Sequence, residues 1–288
     1  MLTVQAPAKI NLTFEVSGKR PDGYHEIRSV IQTIDLCDEL RFETALNTGY
    51  SADLPSWDGE KSLVGKTVQL LGKISGSDQG VAITIKKRIP LVSGLGGDSS
   101  DAAATLIGLN SLWSLDLSAT QLHGLAAQLG SDVPFFLSGG TALMEGRGEK
   151  ITTLPALNRT WLVLLIPDVP RLPRKTEQLY DNLKPNHYTD GSITSRLAEE
   201  IKQRKDIDTA LLCNTFENIA FDISSELAVY RRHILQIGAP NLHLAGSGPA
   251  MFAVVKSKAE GQDLCLRLKT QGLKIYLTYT LNSKTGVL

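Results

Sequence analysis

A stretch rich in glycine, serine and aspartate, Pro90-Leu-Val-Ser-Gly-Leu-Gly-Gly-Asp-Ser-Ser-Asp-Ala-Ala-Ala104, has the composition of a phosphate-binding loop that leads into a helix. Its three glycines can adopt positive φ angles and leave backbone N–H groups open to an anion. Ser99 and Ser100 are predicted to cap the helix, with Asp101 in its first turn. The free N–H groups and the positive end of the helix dipole would then bind a polyphosphate. The alternative is an ordinary glycine-containing connection before a well-capped helix.

This loop differs from the two commonest nucleotide-binding motifs. A Walker A motif needs a glycine five positions before Gly-Lys-Ser/Thr, but the residue five before Gly65 is Glu60. The tripeptide that starts at Gly65 is therefore predicted to begin an ordinary helix. A G-x-G-x-x-G fingerprint followed about twenty residues later by an acidic residue is also absent. The loop alone indicates phosphate or nucleotide binding and no particular reaction.

The composition limits the class of protein. The chain has 288 residues and equal numbers of basic and acidic side chains, 30 of each, which gives no electrostatic reason to expect a nucleic-acid partner. Cys37, Cys213 and Cys265 lack metal-ligand spacing and are interpreted as reduced, partly buried thiols. The N-terminus lacks the pattern of a signal peptide, and no apolar run reaches the roughly 18 residues of a membrane span. We therefore expect a cytoplasmic protein without a membrane partner.

The elements that must position these residues follow from hydrophobic periodicity and from turn residues. Strands are predicted at 4–6, 10–16, 29–36, 40–43, 81–86, 161–166, 242–245, 251–255 and 274–280, with a strand and turn in 139–148. Besides the helix after the glycine-rich loop, helices are predicted at 62–73, 118–130, 176–183, 193–203, 219–237 and 259–271, with Ser118 as a cap. Strands and helices mix without strict alternation, which favours an α+β fold. We expect two domains, 1–155 and 156–288.

Four further motifs accompany the loop. They are Ala6-Pro-Ala-Lys-Ile-Asn-Leu12, Arg20-Pro-Asp-Gly-Tyr-His-Glu26, Gly130-Ser-Asp-Val-Pro134 and Leu244-Ala-Gly-Ser-Gly-Pro249. In this order, together with the glycine-rich loop, they resemble the GHMP kinases, a superfamily of small-molecule kinases. The resemblance is greatest to the branch that phosphorylates a cytidine-diphosphate-linked polyol in non-mevalonate isoprenoid biosynthesis. It covers about residues 6–255 and is weakest between 168 and 240. It implies a two-domain fold with the active site in the cleft between the domains.

The resemblance implies that Lys9 and Asp132 are the catalytic residues. Phosphoryl transfer asks a protein mainly for positioning and charge stabilisation. Asp132 would accept the proton of the substrate hydroxyl. Lys9 would keep Asp132 ionised and polarise either that hydroxyl or the γ-phosphate. Without the resemblance, Lys9 could extend to solvent and Asp132 could belong to a loop or a helix cap.

The same resemblance assigns the binding of the substrate. Tyr24 would stack on the cytosine ring and His25 would form hydrogen bonds with it, whereas His25 by itself could be an ordinary turn histidine. A second aromatic is expected on the opposite face of the base, and Tyr180 is the candidate. Asn11 would bind the polyol or a phosphate of the substrate.

ATP and Mg²⁺ are the implied cofactors, with Mg²⁺ held by serines or water and by no protein cluster alone. The residues expected at the ATP phosphates are Pro90, Leu91, Val92, Ser93, Gly94, Leu95, Gly96, Gly97, Asp98, Ser99 and Ser100. Gly246, Ser247 and Gly248 are expected to pack beside them.

Three features depart from the family pattern. Asp98 replaces a glycine of the phosphate loop, and it should point outward, cap the helix or approach the metal. Ser62 replaces an asparagine, and Pro170-Arg-Leu-Pro-Arg174 replaces a sequence rich in serine and threonine. Two other functions remain open. One is another kinase of the superfamily, such as a homoserine kinase, and the other is a non-catalytic metabolite sensor.

Overall fold

The computed structural model describes residues 1–76, 79–170, 173–239, 241–269, 272–282 and 286–287. The strands are β1 (Leu2–Asn11), β2 (Thr13–Lys19), β3 (His25–Ala45), β4 (Gly49–Ala52), β5 (Gly80–Lys86), β6 (Thr141–Gly146), β7 (Lys150–Thr153), β8 (Trp161–Pro167), β9 (Cys213–Asn214), β10 (His243–Leu244), β11 (Met251–Val255), β12 (Leu273–Tyr279) and β13 (Gly286–Val287). The helices are α1 (Leu63–Ser75), α2 (Gly97–Leu112), α3 (Ala119–Leu129), α4 (Val133–Ser138), α5 (Lys175–Asn182), α6 (Ser192–Lys202), α7 (Glu217–Ile223), α8 (Ser225–Gln236) and α9 (Lys258–Leu268). Short 3-10 helices lie at Pro185–His187 and Thr209–Leu211.

The 21-residue strand β3 organises the larger sheet. It pairs antiparallel with β1, β2, β5 and β6, and the sheet follows the order β13-β1-β3-β2-β9. Strand β4 extends the sheet beyond β5, and β7 extends it beyond β6. The register of β1 against β3 shifts between Pro7 and Ala8, where proline has no N–H to donate. Lys9 and Asn11 follow this bulge and are both buried. Both side chains are polar and lie in the protein interior, where they need polar partners.

The smaller sheet has the order β10-β11-β8-β12 and is antiparallel throughout. Its strand β8 is a continuous apolar run in which Leu162 to Leu165 are fully buried. All strands of this sheet follow residue 155. The larger sheet also contains two strands from beyond that residue, since β9 pairs with β2 and β13 pairs with β1. The division into two domains at 155 stays a prediction.

Helix α2 packs against β1, β3 and α1. Ala102, Ala103 and Ala104 are fully buried there, because small side chains let the helix approach the sheet closely. At Gly108, an added Cβ would lie 2.7 Å from the Phe42 ring. This close approach holds the N-terminus of α2 at a defined place above β1.

The helix caps test the sequence predictions most directly. Ser62 and Ser118 cap α1 and α3 through their side chains, and Ser118 forms a capping box with Gln121, as predicted for that serine. The prediction that Ser99 and Ser100 cap α2 is wrong. The helix begins at Gly97, with Gly96 as the N-cap at φ 72°. Glycine turns the chain there without a side-chain cap, so the first-turn carboxylate belongs to Asp98 and not to Asp101.

Several predicted boundaries also differ. Gly97 lies in the helix and lacks the positive φ expected of it. The strand predicted at 10–16 is interrupted at Leu12, and the helix predicted at 219–237 breaks at Ser224, whose side chain caps α8. The predicted helix at 259–271 ends at Leu268, and Gln271 lies outside the described residues. Five elements were not predicted, because they are short and have weak periodicity: β4, β7, β9, β13 and α4.

The mixture of helix with mainly antiparallel sheet is the predicted α+β arrangement. In the described ranges, no helix combines the length and the apolar character that crossing a membrane requires.

Candidate active site

A cleft of about 1030 Å³ brings the predicted site residues together. Its walls contain every residue assigned above to catalysis, to the nucleotide phosphates or to the substrate, except Ser100 and Gly248. Ser100 is fully buried in α2, and its hydroxyl has no hydrogen-bond partner among the described residues. Gly248 lies directly behind the cleft wall that Gly246 and Ser247 form. Residues from five separate motifs thus meet in one cavity.

Strand β1 joins two glycine-rich loops, the phosphate loop at 90–100 and a second loop at 246–248. The backbone N–H of Lys9 donates to the carbonyl of Leu95 at 2.9 Å, and the N–H of Asn11 donates to the carbonyl of Ala245 at 3.0 Å. The loops are also joined directly, since the N–H of Ala250 donates to the carbonyl of Ser93 at 3.1 Å. Because Lys9 and Asn11 are two residues apart on a strand, their side chains project from the same face, between the loops.

Glycine is required where the two loops touch. Gly94 has a φ of 87°, and an added Cβ would lie 2.9 Å from the carbonyl oxygen of Gly248. At Gly246, an added Cβ would lie 2.9 Å from the carbonyl oxygen of Gly94 and 3.0 Å from Nζ of Lys9. Any side chain at these positions would separate the loops or displace the lysine. The junction therefore places backbone polar groups and an ammonium group within a few ångströms of one another.

Lys9 and Asp132 form the central charge pair. Nζ of Lys9 lies 3.8 Å from Oδ2 of Asp132 and donates to Oδ1 of Asn11 at 2.7 Å. The Lys9 side chain is 8 % exposed, so it does not extend to solvent. Burial lowers the pKa of Lys9, and the charge of Asp132 opposes that effect. Asp132 precedes α4 without capping it through its side chain, so the carboxylate is available to a ligand in the cleft.

Asn11 is held by a residue that the sequence analysis missed. Its amide nitrogen donates to Oγ of Ser29 at 2.6 Å, and the Ser29 hydroxyl donates to the carbonyl of Thr13. Both bonds are buried. The Asn11 oxygen therefore faces Lys9, and the amide keeps a single orientation.

A buried ion network anchors the N-terminus of α2. Nζ of Lys87 lies 2.6 Å from a carboxylate oxygen of Asp38 and 2.7 Å from one of Asp101. Asp98, the departure from the family pattern, lines the cleft with its side chain 56 % exposed, 4.0 Å from the same ammonium. Asp38 and Asp101 are both buried and share the single Lys87 ammonium. Burial raises the pKa of Asp101, and the negative charge of Asp38 raises it further. The network ties α2 to β3 and to the end of β5.

Aromatic side chains form the other end of the cleft. The Tyr180 ring stacks on the His25 imidazole with centroids 4.8 Å apart, and its edge meets Phe216 at 4.9 Å. This spacing is direct ring contact between the two side chains. That Tyr180 lies on the face of the base opposite Tyr24 stays a prediction. Tyr24 is 57 % exposed, and the guanidinium of Arg147 lies 4.7 Å from its ring centroid. Burial lowers the pKa of His25, which favours the neutral ring that can both donate and accept a hydrogen bond.

The cleft contains functional candidates that the sequence analysis did not single out. Arg147 and Phe216 adjoin the aromatic end, and Lys175 lies near Lys9. Burial and the charge of Lys9 lower the pKa of Lys175 to about 8. The sequence signal for Lys175 was its place at the predicted start of a helix, but nothing in the local pattern indicated burial. In the segment 170–174, Arg171 lies outside the described residues.

A second cavity of about 320 Å³ adjoins the cleft. The two share Lys87, Ile89 to Ser93, Lys175 and Ser247 as lining residues. Leu54 and Ser56 line one side of the smaller cavity, and the end of β8 lines another. Its walls combine apolar side chains with charged ones, and its position beside the phosphate loop suits a flat heterocycle.

Within the described part of the chain, neither a metal-binding cluster of side chains nor a cysteine lines the cleft. Over the described ranges, no group of three or more histidine, cysteine or acidic side chains could hold a metal ion. The hydroxyl of Ser99 and the carboxylate of Asp98 line the cleft, and both are oxygen donors of the kind that Mg²⁺ takes when phosphate oxygens supply its other ligands. The cysteines are free, and burial raises the pKa of Cys37 and Cys213 to about 12.

Comparison with known proteins extends these observations. The family described as GHMP kinases N terminal domain matches residues 62–140. A curated relative from Dehalococcoides mccartyi, named 4-diphosphocytidyl-2-C-methyl-D-erythritol kinase, is 49 % identical over 98 % of this chain and 99 % of its own. One from Gloeobacter violaceus with the same name is 37 % identical over 99 % of this chain and 95 % of its own.

Solved structures are similar as well. A crystal structure of 4-(cytidine 5'-diphospho)-2C-methyl-D-erythritol kinase superposes with a TM-score of 0.83 at 30 % identity, over 98 % of this chain and all of that one. A homoserine kinase structure from Listeria monocytogenes, described as putative, has a TM-score of 0.71 at 18 % identity, over 100 % of this chain and 99 % of that one. At that identity, the second likeness extends to the fold alone.

Proposed function

The chain belongs to the 4-diphosphocytidyl-2-C-methyl-D-erythritol kinases, a branch of the GHMP kinases, and on this basis we propose that it transfers the γ-phosphate of ATP to the 2-hydroxyl of 4-diphosphocytidyl-2-C-methyl-D-erythritol. It is a small-molecule kinase of non-mevalonate isoprenoid biosynthesis. The observation that carries the residue assignments is the Lys9–Asp132 pair, 3.8 Å apart in a cleft bounded by the N-terminus of α2.

Asp132 acts as the base in this proposal. The oxygen of the 2-hydroxyl attacks the γ-phosphorus, the bond from that phosphorus to the β,γ-bridging oxygen breaks, and ADP leaves. The hydroxyl proton passes to a carboxylate oxygen of Asp132. Lys9 keeps that carboxylate ionised before the reaction and stabilises charge on the transferring group. The hydrogen bond from Lys9 to Asn11 aims the ammonium, and Asn11 also binds the polyol or a phosphate of the substrate.

The phosphates of ATP bind the loop from Pro90 to Ser100 through backbone N–H groups and the N-terminus of α2. Gly246 to Gly248 close the other side of this phosphate site. Mg²⁺, when bound, neutralises phosphate charge, and Ser99 and Asp98 are the side chains that would hold it together with phosphate oxygens. The adenine base fits the smaller cavity, because Pro90 to Ser93 line both that cavity and the cleft.

The cytosine ring binds at the aromatic end of the cleft. Tyr24 is exposed and can cover one face of the base, while neutral His25 forms hydrogen bonds with its polar edge. Tyr180 stacks on the imidazole of His25 at 4.8 Å between centroids, and this contact holds the orientation of that ring. Tyr180 is also the residue proposed for the second face of the base.

The experiment is Mg²⁺-dependent ADP release with the cytidine-diphosphate-linked polyol or with homoserine as acceptor. We expect release with the polyol alone, and a fall in kcat of at least about 100-fold in Asp132→Asn, since a general base contributes 10² to 10⁴ in rate. Asp263→Asn is the control, because Asp263 pairs with Arg267 on the exposed face of α9. Turnover of homoserine would overturn the substrate. ATP binding without turnover of either acceptor would indicate a sensor.

A further inference from the structure

Lys175 is a buried lysine at the junction of the two glycine-rich loops. It is the first residue of α5, and its Nζ donates to the carbonyl of Gly248, 73 residues later in the chain. Its side chain lines both the cleft and the smaller cavity. Gly248 in turn touches Gly94, since a Cβ on Gly94 would lie 2.9 Å from the Gly248 oxygen. Lys175 therefore reaches the phosphate loop through a single intervening carbonyl.

Among the described residues, no carboxylate forms an ion pair with Lys175, and its hydrogen bond goes to a neutral carbonyl. The Lys9 ammonium is close enough to affect Lys175 and borders the same loop junction, with its Nζ 3.0 Å from the position of a Cβ added at Gly246. Burial and the charge of Lys9 both disfavour the ammonium form, and the pKa of Lys175 falls to about 8. A buried ammonium beside another cation costs free energy unless an anion compensates it.

We propose that Lys175 binds the triphosphate of the nucleotide donor and stabilises the negative charge on the transferring phosphoryl group. This inference rests on the proposed function and extends it to a residue that the five motifs do not contain. The triphosphate supplies the anion that the Lys175 ammonium lacks. Lys175 and Lys9, which both border this junction, then stabilise the charge of the transferring group together.

The acceptor also carries a diphosphate, whose oxygens an ammonium group binds in the same way as those of the nucleotide. The location of Lys175 favours the nucleotide. Lys175 lines the smaller cavity beside the phosphate loop, whereas Tyr24 and His25, which bind the cytidine end of the acceptor, line the cleft alone. The kinetic constants for the two substrates separate these assignments.

The test uses Lys175→Met, which keeps the length of the side chain and removes its charge, and Lys175→Arg, which keeps the charge. Lys205→Met, at an exposed lysine outside both cavities, is the control. Calorimetry measures the Kd for the magnesium complex of a non-hydrolysable ATP analogue, and steady-state assays measure kcat and the KM for each substrate. We expect Lys175→Met to weaken analogue binding or lower kcat by about 10- to 100-fold, the value of one or two charge-assisted hydrogen bonds.

The other expected results are specific to phosphate binding. Lys175→Arg should retain most of the affinity, Lys205→Met should match the unmodified protein, and the KM for the cytidyl acceptor should stay within about twofold. Thermal unfolding of the ligand-free protein should show Lys175→Met at least as stable as the unmodified chain, because the variant removes an uncompensated buried charge.

Three results would overturn the inference. The first is an analogue Kd and a kcat for Lys175→Met within twofold of the unmodified protein. The second is a rise confined to the KM for the acceptor, which would assign Lys175 to the other diphosphate. The third is a lower unfolding temperature with unchanged affinity, which would make Lys175 a structural support of Gly248. Analogue binding needs no acceptor, so it tests Lys175 even if the proposed acceptor is wrong.

Discussion

Replacing Lys87 by methionine tests whether the ion network beneath α2 stabilises the phosphate site. In the folded protein the ammonium bridges Asp38 and Asp101, at 2.6 and 2.7 Å, and both carboxylates are fully buried. Asp38 also accepts hydrogen bonds from the backbone N–H groups of Arg88 and Ile89. The second oxygen of Asp101 has no hydrogen-bond partner within the described part of the chain. Methionine keeps the aliphatic length of the lysine and removes the charge.

The expected loss follows from the two carboxylates that remain. Breaking a buried ion pair by removing one partner costs about 3–5 kcal/mol, because it leaves an uncompensated buried charge. Here two like charges remain near each other, so we expect a loss near 4 kcal/mol in the free energy of unfolding at pH 7. Lys86→Met is the matched control, since Lys86 is the exposed last residue of β5 and precedes Lys87 directly, and it should change stability by less than about 0.5 kcal/mol.

The pH dependence adds a signed test. Burial and Asp38 already raise the pKa of Asp101, and loss of the ammonium raises it further. When a carboxyl has a higher pKa in the folded than in the unfolded state, the free energy of unfolding of the protein falls as the pH rises from the unfolded pKa to the folded pKa. The loss in Lys87→Met should therefore be smaller at pH 5 than at pH 8. Adding Asp101→Asn to Lys87→Met should recover part of it, because one of the two carboxylates is gone.

The assay is urea unfolding followed by circular dichroism at both pH values. The reasoning would be refuted if Lys87→Met lost no more stability than Lys86→Met, or if its loss grew at pH 5. Because the network holds the start of α2, the variant should also bind the ATP analogue more weakly at a temperature where it remains folded.

Three further predictions concern single positions. Gly96→Ala should lose about 1–2 kcal/mol of stability and weaken ATP binding, because Gly96 has a φ of 72° and an added Cβ would lie 2.8 Å from the Phe136 ring. Without ligand, Lys175→Met should be more stable than the unmodified protein by up to about 3 kcal/mol at pH 7. This difference should shrink between pH 8 and 10.5, because in that range the folded protein has lost the Lys175 proton that the unfolded chain still holds. Ser118→Ala should cost about 1 kcal/mol by removing the capping box with Gln121, measured by urea unfolding.

Each of these predictions has a control and a contrary outcome. Gly72→Ala lies inside α1 with open space around its Cβ, so it should not destabilise, and equal effects at Gly72 and Gly96 would contradict the argument from φ. A stability difference for Lys175→Met that does not change with pH would contradict the charge argument. Thr120→Ala, on the exposed first turn of α3, should cost nothing, and a loss equal to that of Ser118→Ala would exclude capping as the cause.

The charged groups that share the cavities with Lys175 must be compared across the same pH range. They are Lys9, Lys87, Arg88, Asp98, Asp132, Arg147, Asp168, Arg174, Glu177, Asp181 and Lys274. All of them are present in both proteins, so the difference between the unmodified chain and Lys175→Met isolates the one lysine.

Features formed by residues close together in the sequence were predicted well, and features formed by distant residues were not. Ser62 and Ser118 cap α1 and α3 through residues three positions away, and such contacts are encoded locally. The start of α2 was mispredicted, although its sequence suited a serine cap. Gly96 takes the positive φ instead and packs against Phe136 of α4, a helix that the periodicity did not reveal.

The sequence by itself determined the elements whose hydrogen bonds and φ angles depend on near neighbours, and through its five motifs it indicated the family and the residues of the cleft. Only the tertiary structure decided which of those residues meet and which buried groups lack a partner. Lys175 reaches Gly248 across 73 residues, and Tyr180 stacks on His25, which belongs to a distant segment of the chain. These relations arise when separate segments are packed into one interior, where burial and the distance between charges depend on the whole fold.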